Sequence, residues 1–214
     1  MTPTEVTDAA RRATNTYGSN FVTDTELLTY LSMALAEASH HARVYESVDV
    51  YTAVASQATY TITASAFEIK QITWGGDKIK PVTFREAEAL QSTLIESSTA
   101  GTPAYYYRWS NDLVVIPAPA SSGDQIHIYS YATHPQVNAS SVILAPDTLH
   151  GYFIDYVAFR ILQKENNDNA GNYLQLWKSN LEVMRREMIQ RNRSDAFRIV
   201  QTEENLVYNT LGLV

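Results

Sequence analysis

The sequence predicts an α+β protein, with a helical bundle built from both ends of the chain, an inserted β-rich region and an extended C-terminal tail. Three observations carry this. Apolar residues recur at the helical period of about 3.6 residues in 1–47 and again in 146–193. Between them, 48–145 holds short alternating runs of Tyr, Thr, Val and Ile separated by turn residues, with room for one short helix. From Ser194 to Val214 apolar residues continue without a clean period. Since the flanking helices have only each other to pair with, one bundle with an insertion is expected, and not two independent beads.

The elements follow in order. Thr2-Pro3-Thr4-Glu5 supplies a capping threonine, a proline at the first helical position and a glutamate three residues after the cap. A helix from about Pro3 to Tyr17, stopped by Gly18, is expected. Thr23-Asp24-Thr25-Glu26 repeats the box and opens a long amphipathic helix marked by Leu27, Leu31, Ala34, Leu35, Ala38, Ala42 and Tyr45. In the insertion, Ile69–Trp74, Gly75-Gly76-Asp77 and Lys78–Val82 read as a hairpin. Thr83-Phe84-Arg85-Glu86 is a third capping box and starts a helix through about Gln91, followed by a Ser/Thr/Ala-rich loop over 92–102. Ala104–Trp109 and Leu113–Ile116 form a second hairpin around Ser110-Asn111-Asp112. Gln125–Thr133 alternates, with Ile126, Ile128 and Ala132 opposite His127, Tyr129 and Tyr131. Leu149, Tyr152, Phe153, Tyr156, Val157, Arg160 and Ile161 mark the next helix. Asp168 or Asn169 then caps one striped by Tyr173, Leu174, Trp177, Leu181, Met184 and Met188.

Composition narrows the function. The net charge of −7 argues against a surface built wholly to grip phosphates. The absence of cysteine excludes a disulfide framework, a thiolate zinc site and a cysteine nucleophile. It fits an intracellular origin. The amino terminus lacks the apolar region of a secretory signal, and no stretch approaches the roughly 20 apolar residues that span a bilayer, so no membrane partner is expected. Tyrosine is unusually dominant, 14 residues against six Phe and three Trp, and hints at surfaces that meet other proteins.

No catalytic constellation emerges. There is no Gly-x-x-x-x-Gly-Lys phosphate loop and no Gly-x-Ser-x-Gly elbow. His40, His41, His127, His134 and His150 show no three- or four-residue spacing that aims two imidazoles at one metal. The expectation is therefore no enzyme, no cofactor and no metal. Tyr105-Tyr106-Tyr107 with Trp109 puts Tyr105, Tyr107 and Trp109 on one strand face and Tyr106 on the other. Only Arg108 lies near them, which favours core or a protein interface over base stacking. Tyr105, Tyr107, Trp109, Tyr129 and Tyr131 are candidate contacts to a neighbouring subunit or another protein. The alternative function is carbohydrate binding, with the same five residues as a sugar platform. Six of the 16 cations, Lys178, Arg185, Arg186, Arg191, Arg193 and Arg198, gather near the C-terminal end. They point to a basic end that docks on an acidic partner, with the apolar tail following it.

One ordered series of motifs resembles a known family. Gly101-Thr102-Pro103-Ala104-Tyr105-Tyr106-Tyr107 is followed by Leu113-Val114-Val115-Ile116-Pro117-Ala118-Pro119 and by Ile126–Tyr131. A Leu149-His150-x-Tyr152 helix then leads to Arg160, Ala170, Tyr173 and Trp177. This order resembles the head-to-tail adaptor, or connector, proteins of tailed bacteriophages, from the N-terminal helices to about Arg191. The resemblance implies a structural virion protein at the head-tail interface, synthesised in the host bacterial cytoplasm. It implies a homo-oligomeric ring, a dodecamer, between the portal protein and a downstream tail or nozzle protein, with passive passage of double-stranded DNA. By position it implies that Arg193, Phe197, Arg198, Ile199, Val200, Leu206 and Tyr208 form the portal-docking tail, and that Tyr105, Tyr107, Trp109, Tyr129 and Tyr131 meet a neighbouring subunit or a tail protein; the alternative within it is a carbohydrate-binding or tail-associated virion component using that tyrosine-rich β face. A ring also multiplies the charge of −7, which would keep duplex phosphates off its wall.

Overall fold

The structure, a computed structural model, describes the backbone of residues 1–95 and 100–210 and the side chains of residues 1–90 and 100–191. It divides into two compact units, 1–44 with 134–214, and 45–133.

The first unit begins with α1 (Pro3–Ala13) and α2 (Asp24–Ala42). Both start with the capping box that the sequence announces. Thr2 Oγ1 accepts from Glu5 N–H while Glu5 Oε2 accepts from Thr2 N–H, and Thr23 and Glu26 repeat the exchange. Helix α1 stops four residues earlier than expected. The Thr14 hydroxyl folds back onto the Ala10 carbonyl at 3.0 Å, and Asn15 takes the left-handed conformation at φ 57°. Asn tolerates that region, so Gly18 lies in the loop beyond. At the end of α2, Arg43 holds the left-handed cap at φ 56°.

The C-terminal half adds a 3₁₀ turn (Asp147–Tyr152), α4 (Phe153–Lys164) and α5 (Ala170–Thr210), so the single helix expected from Leu149 opens as a tighter turn. The four helices α1, α2, α4 and α5 share one core, with Val6, Leu27, Leu31, Leu35, Phe153, Val157, Ile161, Trp177, Leu181 and Met184 buried. Ala34 and Ala38 of α2 are fully buried in it. The Trp177 ring sits 6.2 Å from Phe153 and 5.1 Å from Tyr156, and its Nε1–H donates to Glu37 Oε2 at 3.1 Å.

Two differences from the sequence reading concern this unit. Residues 134–145, which strand-like composition groups with the insertion, pack here through Val137, Ile143 and Ala145. In place of an extended tail from Ser194, the backbone of α5 continues as helix through Thr210. No Gly or Pro lies between Gly171 and Gly212, so nothing in the chain breaks the helix after Arg193.

The second unit is a pair of four-stranded sheets with a common core. Its strands are β1 (Glu46–Thr52), β2 (Thr59–Thr61), β3 (Ala66–Trp74), β4 (Asp77–Lys78), β5 (Lys80–Pro81), β6 (Tyr105–Trp109), β7 (Asp112–Ile116) and β8 (Gln125–Ala132). One sheet runs β1-β8-β3-β4 and the other β2-β7-β6-β5. Ile72, Trp74, Ile126, Ile128 and Ala132 of the first face Tyr60, Tyr106, Leu113 and Val115 of the second. Trp74 and Tyr60 meet edge to face across that core at 6.3 Å.

The expected hairpin after Ile69 is shorter than its sequence suggests. Gly75 and Gly76, at φ 55° and 98°, make the turn, and Asp77–Lys78 pairs back with Thr73–Trp74. The chain then leaves this sheet, and Lys80–Pro81 pairs in parallel with Tyr105–Tyr106 as an edge of the other. Pro81 cannot donate to a ladder, which confines it to such an edge. The second hairpin forms as expected, with Tyr107 opposite Val114 and Ser110 at φ 56° in its turn. Helix α3 (Phe84–Ile95) begins on the Thr83–Glu86 box and runs four residues past Gln91.

Candidate functional site

The aromatic residues on β6 behave as alternation requires. Tyr106 is buried in the sandwich, and burial raises its hydroxyl pKa above the usual tyrosine range. Tyr105 and Tyr107 are half-buried on the opposite face, and Trp109 is 60% exposed. Phe84, the first residue of α3, joins that face at 5.7 Å from the Tyr107 ring and 5.2 Å from Trp109. The capping box fixes its position. Glu86 accepts from the Thr83 N–H at 2.7 Å and from its hydroxyl at 2.8 Å, and these bonds hold the Glu86 carboxyl below its ordinary pKa. Sequence reasoning missed Phe84, although the Thr-Phe-Arg-Glu motif already places it at the helix start.

Tyr129 and Tyr131 lie elsewhere. They belong to the other sheet, where His127 stacks on half-buried Tyr129 at 6.2 Å and Lys70 Nζ lies 5.7 Å from the ring centroid of Tyr131, which is only 5% exposed and so is not a surface contact in this chain. Val48 and Val50 of β1 share the face of Tyr129 and His127, opposite them in register, and both are about half exposed. The five aromatics expected to work together therefore occupy opposite sides of the sandwich and form no single sugar platform. Arg108 is also unavailable to the Tyr107 and Trp109 face. Its guanidinium is held by the carbonyls of Ala66 and Ser110, each at 2.8 Å. The outer face of β6 thus presents clustered aromatic surface in Tyr107, Trp109 and Phe84, with Arg108 turned away and exposed Lys80 opposite Tyr105 in register at its edge.

The helical unit carries the other expected feature. Lys178, Arg185, Arg186 and Arg191 are exposed on α5. Arg193, Phe197, Arg198, Ile199, Val200, Leu206 and Tyr208 follow on the same helix backbone, and their side chains lie outside the described residues. Arg185 joins His40, His41 and Arg43 around a cleft of about 210 Å³ at the end of α2. A larger open cleft of about 710 Å³ is lined by Pro146, Asp147, Thr148, Glu187, Gln190 and Arg191, with mixed charge.

Two histidines that spacing leaves without a role are structural. The His134 backbone N–H donates to Ser39 Oγ at 3.1 Å, and Val137 N–H donates to Ser32 Oγ at 3.1 Å. Both serine hydroxyls donate back into α2, to Leu35 and Leu28. His134 Nε2 accepts from Leu144 N–H at 2.9 Å, so the network assigns its proton to Nδ1, 2.7 Å from the Pro135 carbonyl. Burial first, and the nearby His150 as a lesser cause, lowers the His134 pKa below the usual imidazole value. His150 is buried as well, with Nε2 at 2.9 Å from the Ala145 carbonyl. Among the described residues, no three His, Asp or Glu side chains come together as a metal site, and no helix is long and apolar enough to cross a membrane.

A family model described as SU10 adaptor protein matches residues 1–201. No curated protein matches the chain.

Proposed function

The chain belongs to the SU10 adaptor protein family of phage head-to-tail adaptors, and from that premise we propose that it forms a homo-oligomeric ring joining the portal to a downstream tail or nozzle protein. In this reading it is a structural protein that conducts double-stranded DNA passively and has no catalytic task. The family match over residues 1–201 is the observation that carries it, since it spans both the helical unit and the sandwich.

The surfaces support a protein that is held between others. The aromatic cluster of Phe84, Tyr107 and Trp109, with Trp109 60% exposed, suits a protein partner. The net charge of −7, multiplied around a ring, would repel duplex phosphates from its wall. Residues 194–214 act as the portal-docking segment, with Arg193, Phe197, Arg198, Ile199, Val200, Leu206 and Tyr208 in contact with the portal. Tyr105, Tyr107 and Trp109 meet a neighbouring subunit or the tail protein on one side of the sandwich, and Tyr129 meets one on the other.

The test is co-assembly of the purified chain with its portal, read by electron microscopy of the complex. A ring seated on the portal is the expected result. A chain ending at Arg191 is expected to remain folded and to lose that assembly. A portal that recruits no protein, or recruits the shortened chain equally well, refutes the ring or the docking segment respectively.

A further inference from the structure

Strand β1 is an edge of its sheet, and among the described strands β8 is its one neighbour. The bonds at its two ends fix which way each residue points. Ala53 N–H donates to the Asp124 carbonyl at 2.7 Å, and the Tyr45 carbonyl accepts from Ala132 N–H at 3.3 Å. Alternation then turns the backbone of Ser47, Asp49 and Tyr51 toward β8, and that of Glu46, Val48, Val50 and Thr52 toward the open edge. The side chains of this outward set are all exposed. Every other sheet edge is too short to pair for long: β4 and β5 have two residues each, β5 includes Pro81, and β2 has three. In contrast, β1 offers seven residues in unbroken register, without Pro or Lys. It is also held firmly from within. The Thr63 N–H and hydroxyl both donate to the Asp49 carboxylate, and the Tyr51 hydroxyl donates to the Thr61 carbonyl.

Outward N–H and C=O groups two residues apart, beside two half-exposed valines, define a ligand whose own backbone is extended. We infer that β1 is a docking edge for an extended segment of a partner protein. The segment adds to the four-stranded sheet as a further strand, with apolar side chains opposite Val48 and Val50 and a Lys or Arg opposite Asp49. A second copy of this chain does not meet that description. Antiparallel β1 against β1 uses the whole strand only with Glu46 opposite Thr52, and this register sets Asp49 opposite Asp49, a destabilising like-charge pair. The remaining edges of a second copy are the short ones already described. A basic residue on a different chain replaces that repulsion with attraction, which is why the occupant is a partner and why it is basic at alternate positions. Because β1 is already fixed to the sandwich, the ordering cost of pairing falls on the partner. The edge is distinct from the docking segment at 194–214, and the inference goes beyond the ring reading.

The experiment is fluorescence anisotropy with the full-length chain and a short fluorescein-labelled peptide that alternates valine with lysine. Saturable binding is expected. The peptide valines lie opposite Val48 and Val50, so their amides make the new ladder. Methylating the valine amides is expected to weaken binding at least about ten-fold, whereas methylating the lysine amides leaves it unchanged. Glutamate in place of lysine weakens it by about three-fold. Val50→Pro removes an outward donor that the native sheet does not use, so the circular dichroism spectrum is retained while the peptide binds at least about ten-fold more weakly. Hydrogen exchange gives a readout that needs no variant: the peptide slows exchange at the Val48 and Val50 amides and leaves those of Ser47, Asp49 and Tyr51 unchanged. The inference is overturned if the peptide does not bind, if the valine-methylated peptide binds equally, or if exchange at Val48 and Val50 does not slow. It is also overturned if the chain alone sediments as a dimer that Val50→Pro dissociates, because a second copy would then occupy the edge. Each of these results leaves ring assembly on the portal as a separate readout of the adaptor reading.

Discussion

Replacing Trp177 with alanine tests whether the helical unit depends on one packed centre. Trp177 is 1% exposed, contacts Phe153 and Tyr156, and ties α5 to α2 through Glu37. Truncating a buried Trp costs about 3–5 kcal/mol, most of it lost packing and the cavity left behind. The lost indole hydrogen bond contributes less, because Glu37 is exposed and water replaces the donor. With a urea dependence of about 2 kcal/mol per molar, a loss of about 4 kcal/mol moves the unfolding midpoint down by about 2 M. The assay uses two probes. Far-ultraviolet circular dichroism follows the helices, and in this variant the remaining indoles, Trp74 and Trp109, both report the sandwich. The helical midpoint falls by about 2 M while indole emission keeps its wild-type midpoint, because the two cores share no residue. Trp177→Phe retains most of the ring area and falls by less than half as much. A helical midpoint that moves by under about 0.5 M would refute the central role of Trp177. Two probes that fall together would refute the independence of the cores.

Three further outcomes follow from local chemistry. Thr23→Ala removes the cap of α2 and lowers helical stability by about 1 kcal/mol in urea titration, whereas Thr23→Ser stays near wild type. Glu26, held at a pKa of about 2 chiefly by its hydrogen bond from Lys164, contributes stability that is present above the ordinary carboxylate pKa and lost as pH falls toward 2; Lys164→Met reduces that acid dependence. Ser39→Ala leaves the buried His134 N–H without an acceptor and costs about 1–3 kcal/mol, while His134→Gln flattens the stability loss that sets in as pH falls through the ordinary imidazole value of about 6.5. The sign for His134 follows from its lowered folded pKa. Below about 6.5 the unfolded chain binds the proton more readily, so acid favours unfolding.

What the sequence made legible was local. Each Thr-x-x-Glu box lies within four residues, so Thr2, Thr23 and Thr83 could be read directly as helix starts. Alternation likewise separates Tyr106 from Tyr105, Tyr107 and Trp109, while which of the two faces lies inside depends on the second sheet and shows only in the fold. It could not say which sheet a strand joins, because sheet membership depends on partners distant in the chain, and so Tyr129 and Trp109 were grouped although they face opposite ways. Residues 134–145 pack on the helical unit for a reason of the same kind. Their anchors, Ser32 and Ser39, lie about a hundred positions away and carry no local signature. The end of α1 depended on a choice between two residues that both tolerate a left-handed backbone, and Asn15 took it before Gly18 was reached.

The pattern along α5 separates what this helix does for the fold from what it offers to partners. Trp177, Leu181, Met184 and Met188 recur at intervals of four, three and four residues and are all buried, so they form one stripe on the core. Continued at the same spacing, the stripe would next require apolar residues near 191, 195 and 198, where the sequence has Arg191, Asp195 and Arg198. The core pattern therefore ends at Met188, although the helix backbone runs on for another five or six turns at about 3.6 residues each. Beyond that point the sequence carries Phe197, Ile199, Val200, Leu206 and Tyr208 off the continued stripe. If the portal covers this apolar set, as proposed, shortening the chain to Arg191 separates folding from assembly more cleanly than any substitution within the helical unit.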